Sequence, residues 1–280
     1  MLIFDFNQIV IASLMEQIGS SKQSVEEDLV RHMILNSIRS NVKKFKTYGE
    51  VIIACDNKNY WRKQVFPFYK GNRKKSREKS GHDWNSIFQC MNVVRTELKE
   101  HSPYKVIDIE GAEADDVIGI LTKRYCPHEK IMILSSDKDF VQLQINSNVE
   151  QYSPTLKKYI KSSNPVMQLK ELIICGDKGD GVPNILSNDN CIVDGIRQKA
   201  LTKSRMDELM NTDFININDE TMKRNWIRNK IMIDLSSIPE NISKSIIDSY
   251  ESTKPATKQK FMNYMISKRL KNLLEVIDDF

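Results

Sequence analysis

The chain has 280 residues, 40% of them hydrophobic and 28% charged, enough for one sizeable α/β domain and a smaller one around a packed core. No apolar run approaches the roughly 18 residues of a membrane span, and Met1-Leu2-Ile3-Phe4-Asp5 lacks the basic-then-apolar pattern of a secretory signal, so no membrane partner is expected. The net charge is +5; the five cysteines (Cys55, Cys90, Cys126, Cys175, Cys191) form no C-x-x-C pair and the four histidines no H-E-x-x-H, which predicts free thiols in a reducing cytoplasm and no zinc site.

Residues 2–6 read as a short buried strand. Residues 24–48 read as a helix, with Ser24 and Glu27 as a capping box and Val30, Met33, Ile34, Ile38, Val42 and Phe45 on one stripe. Residues 51–55 form a second strand. Residues 57–81 are polar, basic and aromatic with weak periodicity, the mark of a functional or mobile segment inside a compact domain. Trp84, Ile87, Phe88, Met91, Val94 and Leu98 mark another helix. A strand follows at 104–109, a helix at 114–124, a strand at 130–134 and a hairpin from 148–152 and 157–161. Strands alternating with helices predict an α/β fold with a mostly parallel sheet wrapped by helices. After about residue 175 the strand signals fade, and the rest reads as helices and Asp/Asn/Gly-rich loops. The predicted division is therefore 1–175 and 176–280.

The acids fall at informative places. Asp5 lies near the end of the first strand and Asp56 directly follows the second. Glu113, Asp115 and Asp116 lie between the third strand and the next helix, and Asp137 and Asp139 follow the fourth strand. In a parallel sheet all carboxyl ends share one edge, where ligands bind. Any one of these clusters suits a helix N-terminus, and Asp177, Asp180 and Gly181 suit a turn. Together they place many like charges on one edge, which repel unless cations neutralise them. Hard oxygen ligands point to Mg²⁺, with Mn²⁺ as a substitute, and a two-ion pocket suits phosphodiester hydrolysis. Asp137-Lys138-Asp139 does not open an EF-hand, since loop position 6 is Gln142 and position 12 is Asn148.

From Lys58 to Lys79 there are nine Lys/Arg and one acid, Glu78. Aromatics interleave with them in Tyr60-Trp61-Arg62-Lys63 and in Phe66-Pro67-Phe68-Tyr69-Lys70-Gly71-Asn72-Arg73. Such a mixture stacks on unpaired bases and holds phosphates. Trp61, Arg62, Tyr69, Lys74 and Arg77, with Lys199 further along, are the candidate nucleic-acid contacts.

These residues carry a resemblance that runs through most of the chain. Arg31-His32-Met33-Ile34-Leu35-Asn36, Asp56-Asn57, Tyr60-Trp61-Arg62, Tyr69-Lys70 with Asn72-Arg73, Asp83-Trp84, Glu113-Ala114-Asp115-Asp116, Ser135-Ser136-Asp137 with Asp139-Phe140, and Gly176-Asp177-Lys178 with Asp180 follow one another in a specific order. In that order they resemble the flap endonuclease and 5′-3′ exonuclease superfamily, and within it the RNase H group of T-even-type bacteriophages. The resemblance implies a two-metal 5′ nuclease acting on RNA–DNA hybrids, duplex DNA and 5′ flaps. It implies removal of RNA primers during phage replication, by a monomer in the bacterial host cytoplasm. It implies an inner ion at Asp5, Asp56, Asp115 and Asp137, with Glu113 and Asp116 in or beside that cluster, and an outer ion at Asp139, Asp177 and Asp180. Residues 57–81 correspond to an arch over the single strand. Lys70, assisted by Arg73, stabilises the scissile phosphate beside catalytic Asp115, and Tyr69 stacks on a base.

The chain departs from that pattern at Gly195-Ile196-Arg197-Gln198-Lys199. There Arg197 replaces a glycine of the duplex-gripping hairpin, and residues 185–192 look inserted before it. The chain also starts at its first strand, without the N-terminal extension of the T-even group. Its tail, Glu275-Val276-Ile277-Asp278-Asp279-Phe280, is a candidate docking segment for a sliding clamp, and a single-stranded DNA-binding protein is a further candidate partner.

Other readings fit less well. A dehalogenase-type phosphatase needs a second Asp two residues after Asp5, where Asn7 stands. A PIN-type ribonuclease does not need Asp177 and Asp180. A catalytically weak, structure-specific nucleic-acid-binding protein does not need every acid.

Overall fold

A computed structural model describes residues 1–18 and 26–280. Its centre is one sheet of β1 (Leu2–Asp5), β2 (Val51–Ala54), β3 (Lys105–Ile107), β4 (Ile131–Leu134), β5 (Val149–Ser153) and β6 (Lys158–Ile160). The strand order is β3-β2-β1-β4-β5-β6, with β1 to β5 parallel and β6 antiparallel on β5. The inner strands are nearly continuous apolar runs because both sheet faces are covered. Alternation along each strand sends Leu2, Phe4, Ile53, Met132 and Leu134 into one core, and Ile3, Ile52, Ala54, Ile131 and Ile133 into the other. Helices Phe6–Ile18, Glu27–Lys44 and Trp84–His101 close the first core; Ala114–Tyr125 and Glu240–Ser252 close the second.

The chain runs outward from β1 to β3 on one side and from β4 to β6 on the other, so the order reverses between β1 and β4. Ligands of doubly wound sheets bind outside the carboxyl ends at such a point. Asp5 ends β1, and Asp137 follows β4 by three residues.

The predicted alternation of strands and helices is present, with ends shifted by a few residues, and the predicted hairpin forms as β5 and β6. Helix Phe6–Ile18 was not predicted. It starts one residue after β1 with no acid in its first turn, and its apolar residues are too dense to show a period. Residues 57–81, expected as a helical arch or basic loop of weak periodicity, contain helices Trp61–Val65 and Arg73–Ser80, the second with no buried residue. Of the predicted capping box, Ser24 lies outside the described residues, and the helix runs from Glu27.

The C-terminal part is helical. Ile173, Ile174, Ile185, Leu209, Met222 and Trp226 form a third core under helices Pro165–Cys175, Lys203–Asn211 and Glu220–Ile233. Residues past 176 also return to the sheet, since Ile242 and Ile246 enter the second core and Phe261, Met265 and Leu273 the first. The predicted hairpin is a single turn, Cys191–Asp194, ended by Gly195 at φ 74°, then a non-helical stretch to residue 202.

The tail, from the sequence a candidate docking segment for a sliding clamp, packs against the protein. The Phe280 ring meets Phe261 at 5.2 Å, Leu274 and Ile277 lie on the first core, and Asp279 pairs with Arg39 at 2.8 Å and Lys43 at 3.0 Å. Apolar burial here outweighs the usual fraying of a chain end. Deleting residues 275–280 is expected to cost about 1–2 kcal/mol and to lower Tm by roughly 2–6 °C in calorimetry; an unchanged Tm would contradict the docked tail.

Candidate active site

The acids of four separate segments meet at the carboxyl edge of the sheet, and each is fixed differently. Asp5 accepts hydrogen bonds from Ser135 Oγ at 2.8 Å and from the Gln8 amide at 3.2 Å. Ser135 is fully buried after β4, and its Oγ also accepts the Asp137 amide at 3.1 Å, which links the two strands of the crevice. Asp56 accepts from Asn7 Nδ2 and from the Ala114 amide, both at 2.8 Å. Arg95 Nη1 donates to the Asp56 carbonyl at 2.9 Å, and Gln151 Nε2 donates to the Asp137 carbonyl at 2.6 Å. Asp115, in the first turn of Ala114–Tyr125, receives no hydrogen bond from any described residue.

Glu113 and Asp116, expected in or beside the metal cluster, stand beside it and are engaged by the chain itself. They form a reciprocal capping box on Ala114–Tyr125, and both are fully buried. Asp116 Oδ2 accepts the Glu113 amide at 2.9 Å and Trp61 Nε1 at 3.2 Å, while Arg62 stands 2.8 Å from Oδ1. Glu113 accepts from Arg62 at 2.9 Å, from the Tyr69 hydroxyl at 3.2 Å and from Lys70 Nζ. These two acids hold the basic segment to the sheet. Trp61, Arg62 and Tyr69, predicted to contact nucleic acid, are correspondingly buried, with exposures of 6%, 1% and 2%. A free Arg62 would leave two buried carboxylates without a counter-charge, so it stays inside, where its Nε also donates to the Met232 carbonyl at 3.0 Å. Of the other predicted contacts, Lys74 and Lys199 are exposed, and Arg77 lies over the Phe88 ring.

Asp177 and Asp180 arrive on a turn that only glycine permits. Gly176 has φ 68°, and a Cβ there would stand 2.3 Å from the Val182 carbonyl. The Asp180 amide donates to Asp177 Oδ1 at 3.1 Å, and Asp180 accepts from the Tyr69 hydroxyl at 2.9 Å and from Arg73. Lys138 Nζ lies 2.7 Å from Asp177 Oδ2. The Lys70 amide donates to the Asp180 carbonyl at 2.7 Å while Lys70 holds φ 56°, a strained backbone that aims its side chain between Glu113 and Asp180.

The electrostatics follow from this crowding. Burial, then the Asp56 charge, pushes Asp5 up to about 7, against the hydrogen bonds of Ser135 and Gln8. Burial and the Asp137 charge raise Asp115 well above the carboxylate range, and burial with Asp137, Asp177 and Asp180 does the same to Asp139. Asp180 goes the other way, because Lys70 and Arg73 outweigh its burial.

Among the described residues no three acidic, His or Cys side chains close on one point as a finished ion cage. The donor chemistry fits a hard divalent cation nonetheless. All the groups are carboxylates, Asp139 Oδ1 is buried with no hydrogen-bond partner, and Asp115 has no donor to lose. Asn7, Arg95, Lys138 and Gln151 were given no role in the site from the sequence, and Ser135 appeared there only as part of a motif. Asn7, two residues after Asp5, offered a local signal; the others act across the fold.

Residues 11–172 match the 5′-3′ exonuclease N-terminal resolvase-like domain, and residues 163–280 match the C-terminal domain of T4 RNase H. Ribonuclease H of Enterobacteria phage T4 is 35% identical over 290 residues, spanning 99% of this chain and 95% of that protein. A 5′-3′ exonuclease of Buchnera aphidicola subsp. Acyrthosiphon pisum is 28% identical, over 54% of each chain, and flap endonuclease Xni of Shewanella woodyi is 30% identical over 53% of this chain and 60% of that one. Two solved structures share the fold. The T5 5′-exonuclease with bound zinc has a TM-score of 0.63 at 16% identity, over 91% of this chain and 99% of that one. A T5 flap endonuclease pseudo-enzyme-product complex with DNA and metal ions has a TM-score of 0.61 at 16% identity, over 90% and 99%.

Asp115→Asn isolates the repulsion, because it removes a charge and no hydrogen bond. Without divalent ions it is expected to stabilise the protein at pH 8 by on the order of 1 kcal/mol, a Tm rise of roughly 2–4 °C. A carboxyl raised in the folded state loses stability as pH climbs from the ordinary carboxylate range, so the gain should shrink towards pH 4.5. A lower Tm at pH 8 would contradict the crowding.

Proposed function

Because the chain belongs to the 5′-3′ exonuclease family, in the branch of T4 RNase H, and is a 5′ nuclease, we propose that it hydrolyses RNA–DNA hybrids, duplex DNA in the 5′→3′ direction and 5′ flaps with two Mg²⁺ ions, Mn²⁺ substituting, to remove RNA primers during phage replication. The observation that carries this reading is the facing of two charge sets at one sheet edge. Acids from β1, β2, the 113–116 turn and the 137–139 turn stand opposite Lys70 and Arg73 from the basic segment. We assign residues 1–175 to the nuclease part, with 57–81 as the arch, and 176–280 to a helical DNA-binding part.

Asp5, Asp56, Asp115 and Asp137 would hold one ion, and Asp139, Asp177 and Asp180 the other. Bound ions supply an ionised water and neutralise the phosphate oxygens. The chain's own groups position the substrate. Lys70, 8% exposed and strained towards the acids, leaves Glu113 for the scissile phosphate, while Arg73, 44% exposed, takes a neighbouring oxygen. Lys74, Arg77 and Lys199 steer the backbone by charge. Tyr69 acts by holding Glu113 and Asp180 and not by stacking on a base. Beyond nucleic acid, the partners are a single-stranded DNA-binding protein or a sliding clamp, met by the docked tail, where Asp278 is 90% exposed. The chain works as a monomer in the host cytoplasm.

Cleavage of a labelled 5′-flap duplex and of a 5′-RNA–DNA hybrid, with Mg²⁺ and with EDTA, tests the reading. Short 5′ products are expected with Mg²⁺ alone, and Asp137→Asn is expected to lose them while still binding DNA. Tight binding with no cleavage under any divalent ion would instead support the structure-specific binding protein, and a preference for single-stranded RNA the PIN-type ribonuclease. Lys70→Ala is expected to lower turnover by about 10²- to 10³-fold, as for other groups that stabilise charge in the transition state; unchanged turnover would remove Lys70 from the reaction.

A further inference from the structure

Lys138 stands between Asp137, assigned to the inner ion, and Asp139, assigned to the outer one, yet the reaction gives it no task. Its side chain is half exposed, on a long flexible stem, and its ammonium sits 2.7 Å from Asp177 Oδ2. The Asp137 and Asp139 charges act on the same ammonium and, with Asp177, hold its proton more firmly than burial alone would. The remaining oxygens of this cluster are spoken for in a telling way. Asp177 Oδ1 accepts the Asp180 amide, both Asp180 oxygens are taken by Arg73 and the Tyr69 hydroxyl, and Asp139 Oδ1 is buried with no partner. Lys138 therefore neutralises Asp177 Oδ2, an outer carboxylate oxygen that no backbone amide, hydroxyl or substrate-facing cation reaches.

We propose that Lys138 is a built-in counterion that competes with the divalent ion for Asp177 and thereby sets the affinity of the outer site. This rests on the assignment of Asp139, Asp177 and Asp180 to that ion. In metal-free protein the ammonium relieves repulsion among Asp137, Asp139 and Asp177; on ion binding it swings into solvent, which its half exposure allows. No bond is made or broken and no proton moves: one cation is exchanged for another. A half-exposed ion pair is weak, so the competition is modest, about three- to tenfold in affinity, and monovalent salt screens it. The inner site has no such competitor at Asp115, which receives no hydrogen bond, so the two ions bind with unequal affinity.

Calorimetric titration of the metal-free full chain with MnCl₂, in the absence of DNA, tests this. Lys138→Met keeps the length of the side chain and removes its charge. It is expected to bind the second Mn²⁺ about three- to tenfold more tightly than the parent, with the first step unchanged, and Lys138→Arg is expected to stay near the parent. The difference should narrow when NaCl is raised from low to high concentration. A variant that had only lost a structural contact would bind the ion equally or less well, and that result overturns the proposal. If the Lys138→Met protein and its parent both fail to bind any Mn²⁺, the ion assignment itself is wrong; if both bind two ions with equal affinities, only the role of Lys138 is.

Discussion

Carboxylates delivered by parallel strands to one edge of a sheet repel one another, and the rest of the molecule is arranged around that repulsion. The sheet order places Asp5 and Asp137 on either side of the β1/β4 reversal, and the turns after β2 and before Ala114–Tyr125 bring Asp56 and Asp115 to the same edge. Burial makes each charge harder to hold, so Asp115 and Asp139, where burial and acidic neighbours outweigh a nearby lysine, are pushed up, and Asp180, beside Lys70 and Arg73, is pulled down. Such a site is costly in isolation and becomes favourable when positive charge enters it.

Part of that positive charge is supplied by the chain. Arg62 is buried against Glu113 and Asp116, Lys70 reaches Glu113, Arg73 reaches Asp180 and Lys138 reaches Asp177. The first is permanent, because removing it would strand two buried carboxylates. The others lie nearer solvent and can be exchanged. The C-terminal part joins the same network. Arg62 bonds the Met232 carbonyl, and Gln142 joins the Asp139 carbonyl to the Ile233 carbonyl and the Leu235 amide. Helix Glu220–Ile233 also holds the loop after Asp180, through Asn225, Arg228 and Asn229 on the carbonyls of Pro183, Ile185 and Ser187. The two acid clusters thus share one brace.

Much of this was legible in the sequence, for reasons that are local. Short apolar runs followed by acids give both the strands and the edge on which the acids lie, and the order of motifs through the chain points to the nuclease family. What was not legible depends on direction. Asp115 and Asp116 are neighbours in a first helical turn, where either could cap or bind an ion; the structure turns Asp116 inward to cap and leaves Asp115 without a donor. Trp61, Arg62 and Tyr69 have the composition of a nucleic-acid surface, and composition does not distinguish that from an aromatic and cationic seam between two elements. Arg95 and Gln151 carry no motif, and Ser135 belongs to one that does not show its role, since each acts on residues 15 or more positions away or on main-chain groups that any sequence possesses.

The most direct measurement is the anomalous scattering of Mn²⁺ in crystals of the full chain. The account predicts two peaks on the carboxyl edge of the sheet, one among Asp5, Asp56, Asp115 and Asp137 and one between Asp139 and Asp177, with Lys138 withdrawn from the second. Peaks elsewhere on the surface, or none at saturating Mn²⁺, would contradict the claim that this acidic edge is built to hold ions.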